Sequence, residues 1–443
     1  MRSSGRLSPE QAWVVLGALA VVVALNAGVL GSDPWLFRAG AMEPHGLLGP
    51  LVRLADYRWD LGLLRTVAML AGVGLVALAV AACFVRRWRS WVLALSCVAV
   101  LAALVLPAVA LQVGLREASE PWFFVNDSTY QIELAGDLVL HGQTPYGHDY
   151  GTSGLERFYS LDGSVAAETR QRQVALGHFA YFPGTALLGA AWRVLPSPWD
   201  DVRWLVALST LGLFGAALLF PGPLHARLAL GVAAAGNPIV VRGAWFGTAD
   251  APTLLLLLLA FALLLRSRNG WAAAALAAAV LTKQFALVAV PFFAASLLLR
   301  GPRGAWKAPA LVFGVVVGVG FLPFLVADAD ALWNDTVSYG TGTYRILGYG
   351  LSAVLLRAHL IDDRNGSYPF FLLVAVVWLP VTAVLVRAQL RSGLLWLGGA
   401  GFTTSVFLLL FLGRVFQISY LVYPLTGIVL TALLALAVRQ RDG

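Results

Sequence analysis

Two side chains, far apart in the chain, have the types and settings to do chemistry together. Lys283 is one of two lysines; the other, Lys307, lies in a basic stretch. About thirteen mostly apolar residues flank Lys283 on each side, at 270–282 and 285–299. An ionisable group set that deep in a membrane costs about 2.5–3.5 kcal/mol on insertion scales and marks function by default. A lone ammonium there suits an anionic headgroup such as a lipid phosphate, unless the lysine simply snorkels to the surface. Asp127 lies in Phe123-Phe124-Val125-Asn126-Asp127-Ser128-Thr129-Tyr130. Its carboxylate could serve as general base on a hydroxyl. The competing reading makes Asp127 or Ser128 a helix N-cap, with Gln131 completing a capping box.

Weaker candidates surround these two. Arg345 and Arg414 could bind the same anion as Lys283, and Gln284 and Gln417 lie beside these cations in sequence. Asp250 follows Gly247-Thr248-Ala249 and precedes Pro252, so it either caps a helix or joins a site. Tyr130, Tyr146, His178, Tyr181 and Tyr344 are candidate substrate contacts, although Tyr near membrane ends is more often an interfacial anchor. Glu133, Asp137, Asp149, Glu156 and Asp162 read as solvated loop carboxylates. The two cysteines, Cys83 and Cys97, lie in apolar runs and have no metal-type spacing.

The elements that must position these groups are membrane helices. The 443 residues are 59% hydrophobic and 12% charged, about half the charge of a soluble domain. Runs such as 66–84 and 254–265 do not alternate as barrel strands would, so the chain is expected to be an all-α polytopic membrane protein. Spans are predicted near 11–31, 62–84, 90–113, 180–196, 202–220, 223–241, 251–265, 270–282, 285–299, 308–327, 368–386, 393–412 and 416–438. The first is read as a retained signal anchor.

The net charge of +8 comes from arginines in short loops, a topogenic pattern that needs no nucleic acid. Arg86, Arg87 and Arg89 place their turn in the cytoplasm, as Arg266 with Arg268, Arg300 with Arg303, Arg387 with Arg391, and Arg439 with Arg441 place theirs. Both termini are then cytoplasmic, and the long loops 114–178 and 328–367 are extracytoplasmic. The first loop carries nine acidic residues against four arginines. Its stretch from Gln131 to His141 is amphipathic and is expected to lie on the membrane surface. Residues 270–299 lie between two cytoplasmic turns, so they are expected to form a re-entrant hairpin with its tip at Thr282-Lys283-Gln284. Parity also requires one short or re-entrant segment in 180–250, most simply 223–241 with Pro238. The expected divisions are 1–113, 114–178, a core of 179–327, 328–367 and 368–443.

Several of these residues resemble glycosyltransferase family 87 of the GT-C superfamily. They are Asp127 with Tyr130, the turn Gly142-Gln143-Thr144-Pro145-Tyr146, Tyr181-Phe182-Pro183-Gly184, Gly247-Thr248-Ala249-Asp250 and Leu281-Thr282-Lys283-Gln284. The resemblance covers roughly 115–330 well, with two extra spans before the acidic loop. It implies a GT-C-like bundle of about 11–13 transmembrane or half-spanning helices with two long extracytoplasmic loops. It further implies transfer of a sugar, mannose or another hexose or arabinose, from a polyprenyl-phosphate donor to a lipid or glycan acceptor. Asp127 would be the base and Lys283 the phosphate partner, with no metal and no cofactor. Many relatives carry Asp-Glu where this chain has Asp127-Ser128, which argues against the metal-dependent branch. The partners expected are the cell membrane, the lipid-linked sugar and its acceptor. Two other classes compete. A transporter or flippase would use Lys283 at the midplane, but its paired repeats are missing. A glycan polymerase or ligase would usually carry its large outer loop late in the chain.

Overall fold

The computed structural model describes residues 6–30, 43–159, 176–302 and 304–439. Asp162, Arg303 and Arg441 lie outside them. The described chain is almost wholly helical, with only two pairs of two-residue strands. Among the described residues, six helices are long and apolar enough to cross a membrane: Pro9–Val29, Leu61–Phe84, Ser90–Glu117, Lys307–Gly342, Phe370–Ser392 and Ile418–Ala437. Shorter apolar helices include Val202–Leu218, Ala251–Leu265, Asn269–Thr282 and Trp396–Leu412. The protein is therefore an all-α, multi-pass membrane protein. The chain divides into two compact units: 1–126 with 196–265 and 432–443, and 127–195 with 266–431.

In the first unit, the membrane helices start where the sequence supplies caps. Ser8 and Gln11 form a reciprocal capping box at Pro9, and the Asp60 carboxylate accepts from Gly62 N at 2.8 Å. Leu61–Phe84 buries only Leu64, Ala68, Leu75 and Ala82. Those positions make one narrow stripe at helical spacing, and the exposed Met69, Leu70, Val73, Val76 and Val80 suit lipid. The segment expected to be irregular, 223–241, is a bent pair, Leu224–Ala235 and Pro238–Phe246, at 47°. Asn237 caps its second half, and the buried Asn26 donates to the Gly236 carbonyl at 2.8 Å, satisfying an acceptor the break would orphan. The fully buried Arg203 forks onto Asp201 at 2.8 and 2.6 Å and also donates to the Phe124 carbonyl; Arg116 adds a second cation to Asp201 at 2.8 Å.

The second unit departs from expectation in three places. The span expected at 180–196 is the eleven-residue helix Pro183–Arg193, about 16 Å long at 1.5 Å per residue and too short to cross. The span expected at 308–327 continues through Asp328 to Trp333 and then as a π-helical stretch, Asn334–Thr343. Asp328 itself leaves helical geometry, and its carboxylate accepts from Ala331 N at 2.8 Å. It thus caps a fresh turn where the apolar run ends. The expected amphipathic surface helix is Asp127–Leu140, and its stripe of Ile132, Ala135 and Gly136 is buried by protein rather than by lipid.

At the predicted hairpin the chain breaks at Lys283, and its two arms take different neighbours. Asn269–Thr282 lies along Lys307–Trp333, whereas Val290–Arg300 lies against Leu379–Ser392 and Trp396–Leu412. Gln389 fixes the second arm, donating to Ser296 Oγ at 2.8 Å and to the Phe292 carbonyl at 3.2 Å.

Candidate functional site

Lys283 is buried, 7% exposed, in extended backbone (φ −153°, ψ 131°) between Asn269–Thr282 and the 3-10 turn Gln284–Ala289. No Gly or Pro explains that break; tertiary contacts do. Thr185 donates its hydroxyl to the Thr282 carbonyl, one of the acceptors a helix end leaves without a partner. Beside it, a Cβ on Gly184 would stand 2.6 Å from the Leu281 carbonyl carbon, so only glycine lets the two segments meet. Pro183 begins the helix that carries both residues. Just before it, the Tyr181 ring lies under the ammonium, with Lys283 Nζ 5.0 Å from the centroid. A desolvated cation–π contact of this kind is worth about 2 kcal/mol.

Asp127 opens the helix Asp127–Leu140, where the helix dipole favours a carboxylate. Its Oδ1 accepts from Ser128 N at 2.8 Å. Gln131, one turn further on, donates its amide to the His178 carbonyl at 2.7 Å. The helix is fixed to Pro183–Arg193 by glycine: a Cβ on Gly136 would come within 2.6 Å of the Gly189 carbonyl carbon. Arg193 pairs with Asp137 at 3.0 Å. Glu133, expected to be solvated, is buried at 4% exposure.

Tyrosines link the two charges. Asp127 lies within electrostatic reach of Tyr339 and Tyr344, and Tyr339 lies within reach of Tyr181 and Tyr420. Burial first, and then the Asp127 charge, raise the Tyr344 phenol above its ordinary value, with Arg345 opposing. Tyr420 in turn packs on Phe285, two residues past Lys283, at 5.1 Å. Asp127, Tyr181, Lys283, Tyr339, Tyr344 and Tyr420 all belong to the second unit.

The lower-ranked candidates divide. Arg345 Nε and Gln284 Oε1 are buried in this unit without a hydrogen-bond partner among the described residues, as groups that await a ligand would be. Arg414 is differently engaged. Its guanidinium, 2% exposed, donates to the carbonyls of Tyr344 at 2.6 Å, Gly366 at 2.9 Å and Arg364 at 3.4 Å. It is a clamp on the second loop, with one N–H of each nitrogen committed to backbone. Gln417 serves backbone here, its carbonyl accepting from Tyr420 N at 3.1 Å. Tyr130 and Tyr146 anchor the first loop, donating to the carbonyls of Ser153 and Tyr181, each at 2.9 Å. Asp250 is buried in the first unit, immediately before Ala251–Leu265.

Asp335 is the residue that sequence reasoning missed. It is 2% exposed, and it accepts from Gly147 N at 2.9 Å, Phe179 N at 3.1 Å and His178 Nδ1 at 2.7 Å. The only hint was its place in a long loop, and its partners lie more than 150 residues away. Among the described residues, no three His, Cys, Asp or Glu side chains gather closely enough to hold a metal ion.

No curated protein and no solved structure matches the chain. A model of glycosyltransferase family 87 does, over residues 179–413, just over half the chain. That region holds Lys283, Tyr181 and Asp335, and Asp127 and His178 precede it. With its apolar helices and this match, the chain belongs to glycosyltransferase family 87 and is a multi-pass membrane glycosyltransferase.

Proposed function

We propose that the enzyme transfers a sugar from a polyprenyl-phosphate donor to a lipid or glycan acceptor on the extracytoplasmic face, with inversion at the anomeric carbon. The observation that carries this reading is a buried ammonium, Lys283, held in a helix break and joined to Asp127 through one tyrosine cluster. The buried donor on Arg345 and acceptor on Gln284 add partners for a polar headgroup.

In this mechanism Asp127 takes the proton from the acceptor hydroxyl as its oxygen attacks the anomeric carbon. The bond from that carbon to the phosphate oxygen breaks on the opposite face, and its electron pair stays on the phosphate. Lys283 stabilises that developing charge in a site from which water is largely excluded. A phosphate leaves without protonation, so one base and one cation suffice, in contrast to the paired carboxylates of glycoside hydrolysis. The sugar is mannose, another hexose or arabinose.

The test uses full-length protein in nanodiscs with polyprenyl-phosphate sugars radiolabelled in the sugar. The acceptor is a lipid extract from a strain lacking the gene. Asp127→Asn should lower transfer by about 10²–10⁴-fold, the range of general-base catalysis. Lys283→Met should lower it by about 10²–10³-fold, as loss of one transition-state donor does. Undiminished transfer by Asp127→Asn would remove the base from the scheme. Mass spectrometry of the same strain's lipid-linked glycans would name the sugar.

A further inference from the structure

The proposed chemistry uses Asp127 and Lys283 and leaves another polar pair in the same unit without a task. His178 and Asp335 meet at 2.7 Å, Nδ1 to Oδ1. The other carboxylate oxygen, Oδ2, is already committed to two backbone donors, Gly147 N and Phe179 N. A carboxylate in that setting only accepts, so Nδ1 must carry a proton toward it, and in the neutral ring that leaves the lone pair on Nε2. That second nitrogen makes no hydrogen bond among the described residues. The side chain is 25% exposed, so Nε2 has room for a partner. The ring cannot easily turn away, because it stacks on Tyr339 at 4.7 Å and 29°. Tyr339 is the same tyrosine that lies within reach of Asp127 and Tyr181. The His178 carbonyl also accepts from Gln131, one helical turn past Asp127, at 2.7 Å, so a carboxylate-oriented imidazole with an uncommitted nitrogen stands at the end of the helix that Asp127 opens, a setting suited to receive a hydroxyl.

We infer that His178 Nε2 accepts a hydrogen bond from a hydroxyl of the polyhydroxylated acceptor and orients it toward Asp127, with Asp335 as the positioning residue that fixes the tautomer. This rests on the donor chemistry proposed above. No bond forms or breaks at His178; it recognises the acceptor.

The experiment titrates the same lipid extract, as a dilution series, against full-length protein in nanodiscs with labelled donor in excess. His178→Asn keeps an N–H for Asp335 and removes only the Nε2 acceptor. It should raise the extract concentration for half-maximal transfer about tenfold, the size of one lost hydrogen bond to a substrate, and lower the share of sugar passed to lipid rather than to water. Asp335→Asn presents its own N–H to Nδ1 and forces Nε2 to become a donor, so it should give the same defect. The double variant should be no worse than either single one. A wild-type half-saturation in His178→Asn, or defects that multiply in the double variant, would overturn the inference. If His178→Asn does not fold, His178→Gln carries the test, because its carbonyl reaches the Nε2 position. It should stay within about threefold of wild type while His178→Ala does not, and equal losses overturn the idea. An active Asp127→Asn would defeat the donor chemistry; an inactive Asp127→Asn with a wild-type His178→Asn would defeat this inference alone.

Discussion

Replacing Arg414 with alanine separates a structural cation from a substrate-binding one. The guanidinium makes two well-formed bonds, to the Tyr344 and Gly366 carbonyls at 2.6 and 2.9 Å, and a third at 3.4 Å to Arg364. Hydrogen bonds to a charged group contribute about 1.5–3 kcal/mol each. Water can reach the stranded carbonyls once the side chain is gone, so about 3 kcal/mol is the expected loss for the pair. That corresponds to roughly a hundredfold rise in local opening. The opening should appear at the amides the clamp protects. Ile346 N bonds the Arg364 carbonyl at 2.7 Å, Leu347 N bonds the Arg414 carbonyl at 3.2 Å, and Tyr349 N bonds the Phe416 carbonyl at 2.9 Å. Hydrogen exchange read by mass spectrometry in nanodiscs should show peptides over 344–368 exchanging about a hundred times faster, and peptides over 183–193 unchanged. Arg414→Lys should fall between, since an ammonium cannot fork across two carbonyls. Unchanged exchange together with weakened donor binding would refute the clamp and return Arg414 to the phosphate.

The remaining predictions test how the unit holds its charges. Gly136→Ala must drive a methyl into the Gly189 backbone at 2.6 Å; overpacking of this kind costs about 1–3 kcal/mol and should lower the melting temperature, whereas an unchanged value would show that the two helices do not touch there. Thr185→Val removes the hydroxyl that donates to the Thr282 carbonyl and should reduce transfer more than stability, and wild-type turnover would rule out this contact as the support of the break at Lys283. In the first unit, Arg203→Met removes one of the two guanidiniums on the buried Asp201. Breaking a buried ion pair from one side costs about 3–5 kcal/mol, so a loss under about 1 kcal/mol on thermal unfolding would contradict the burial of this pair.

Much of the architecture was legible because lipid imposes one rule, that apolar runs close their own hydrogen bonds as helices. The break at Lys283 was legible for a related reason: a charge among alanines and leucines must be accommodated somehow. The helix after Asp127 was legible as an amphipathic pattern, but what covers its apolar stripe was not. Ile132 facing lipid and Ile132 facing Gly189 have the same periodicity. Asp335 was hidden for a different reason. Between Asn334 and Thr336 nothing distinguishes it from a solvated loop carboxylate, because its meaning lies in the Gly147 and Phe179 amides, which long-range folding alone delivers. The carbonyl partners of Arg414 were hidden for a complementary reason: composition reveals a cation near the end of a span, but not that three carbonyls already surround it.

The break at Lys283 also bears on how the protein is made. Asn269–Thr282 has fourteen residues and Val290–Arg300 eleven, roughly 21 and 16 Å of helix against a hydrocarbon layer of ~30 Å. Neither piece qualifies for insertion alone during synthesis. The carbonyl at Thr282 also lacks its hydroxyl partner until Pro183–Arg193, itself too short to cross, is in place. Biogenesis of this region is therefore expected to be collective: three sub-length segments depend on longer neighbours to hold them in the bilayer, and the fold around Lys283 is complete only when all three are in place.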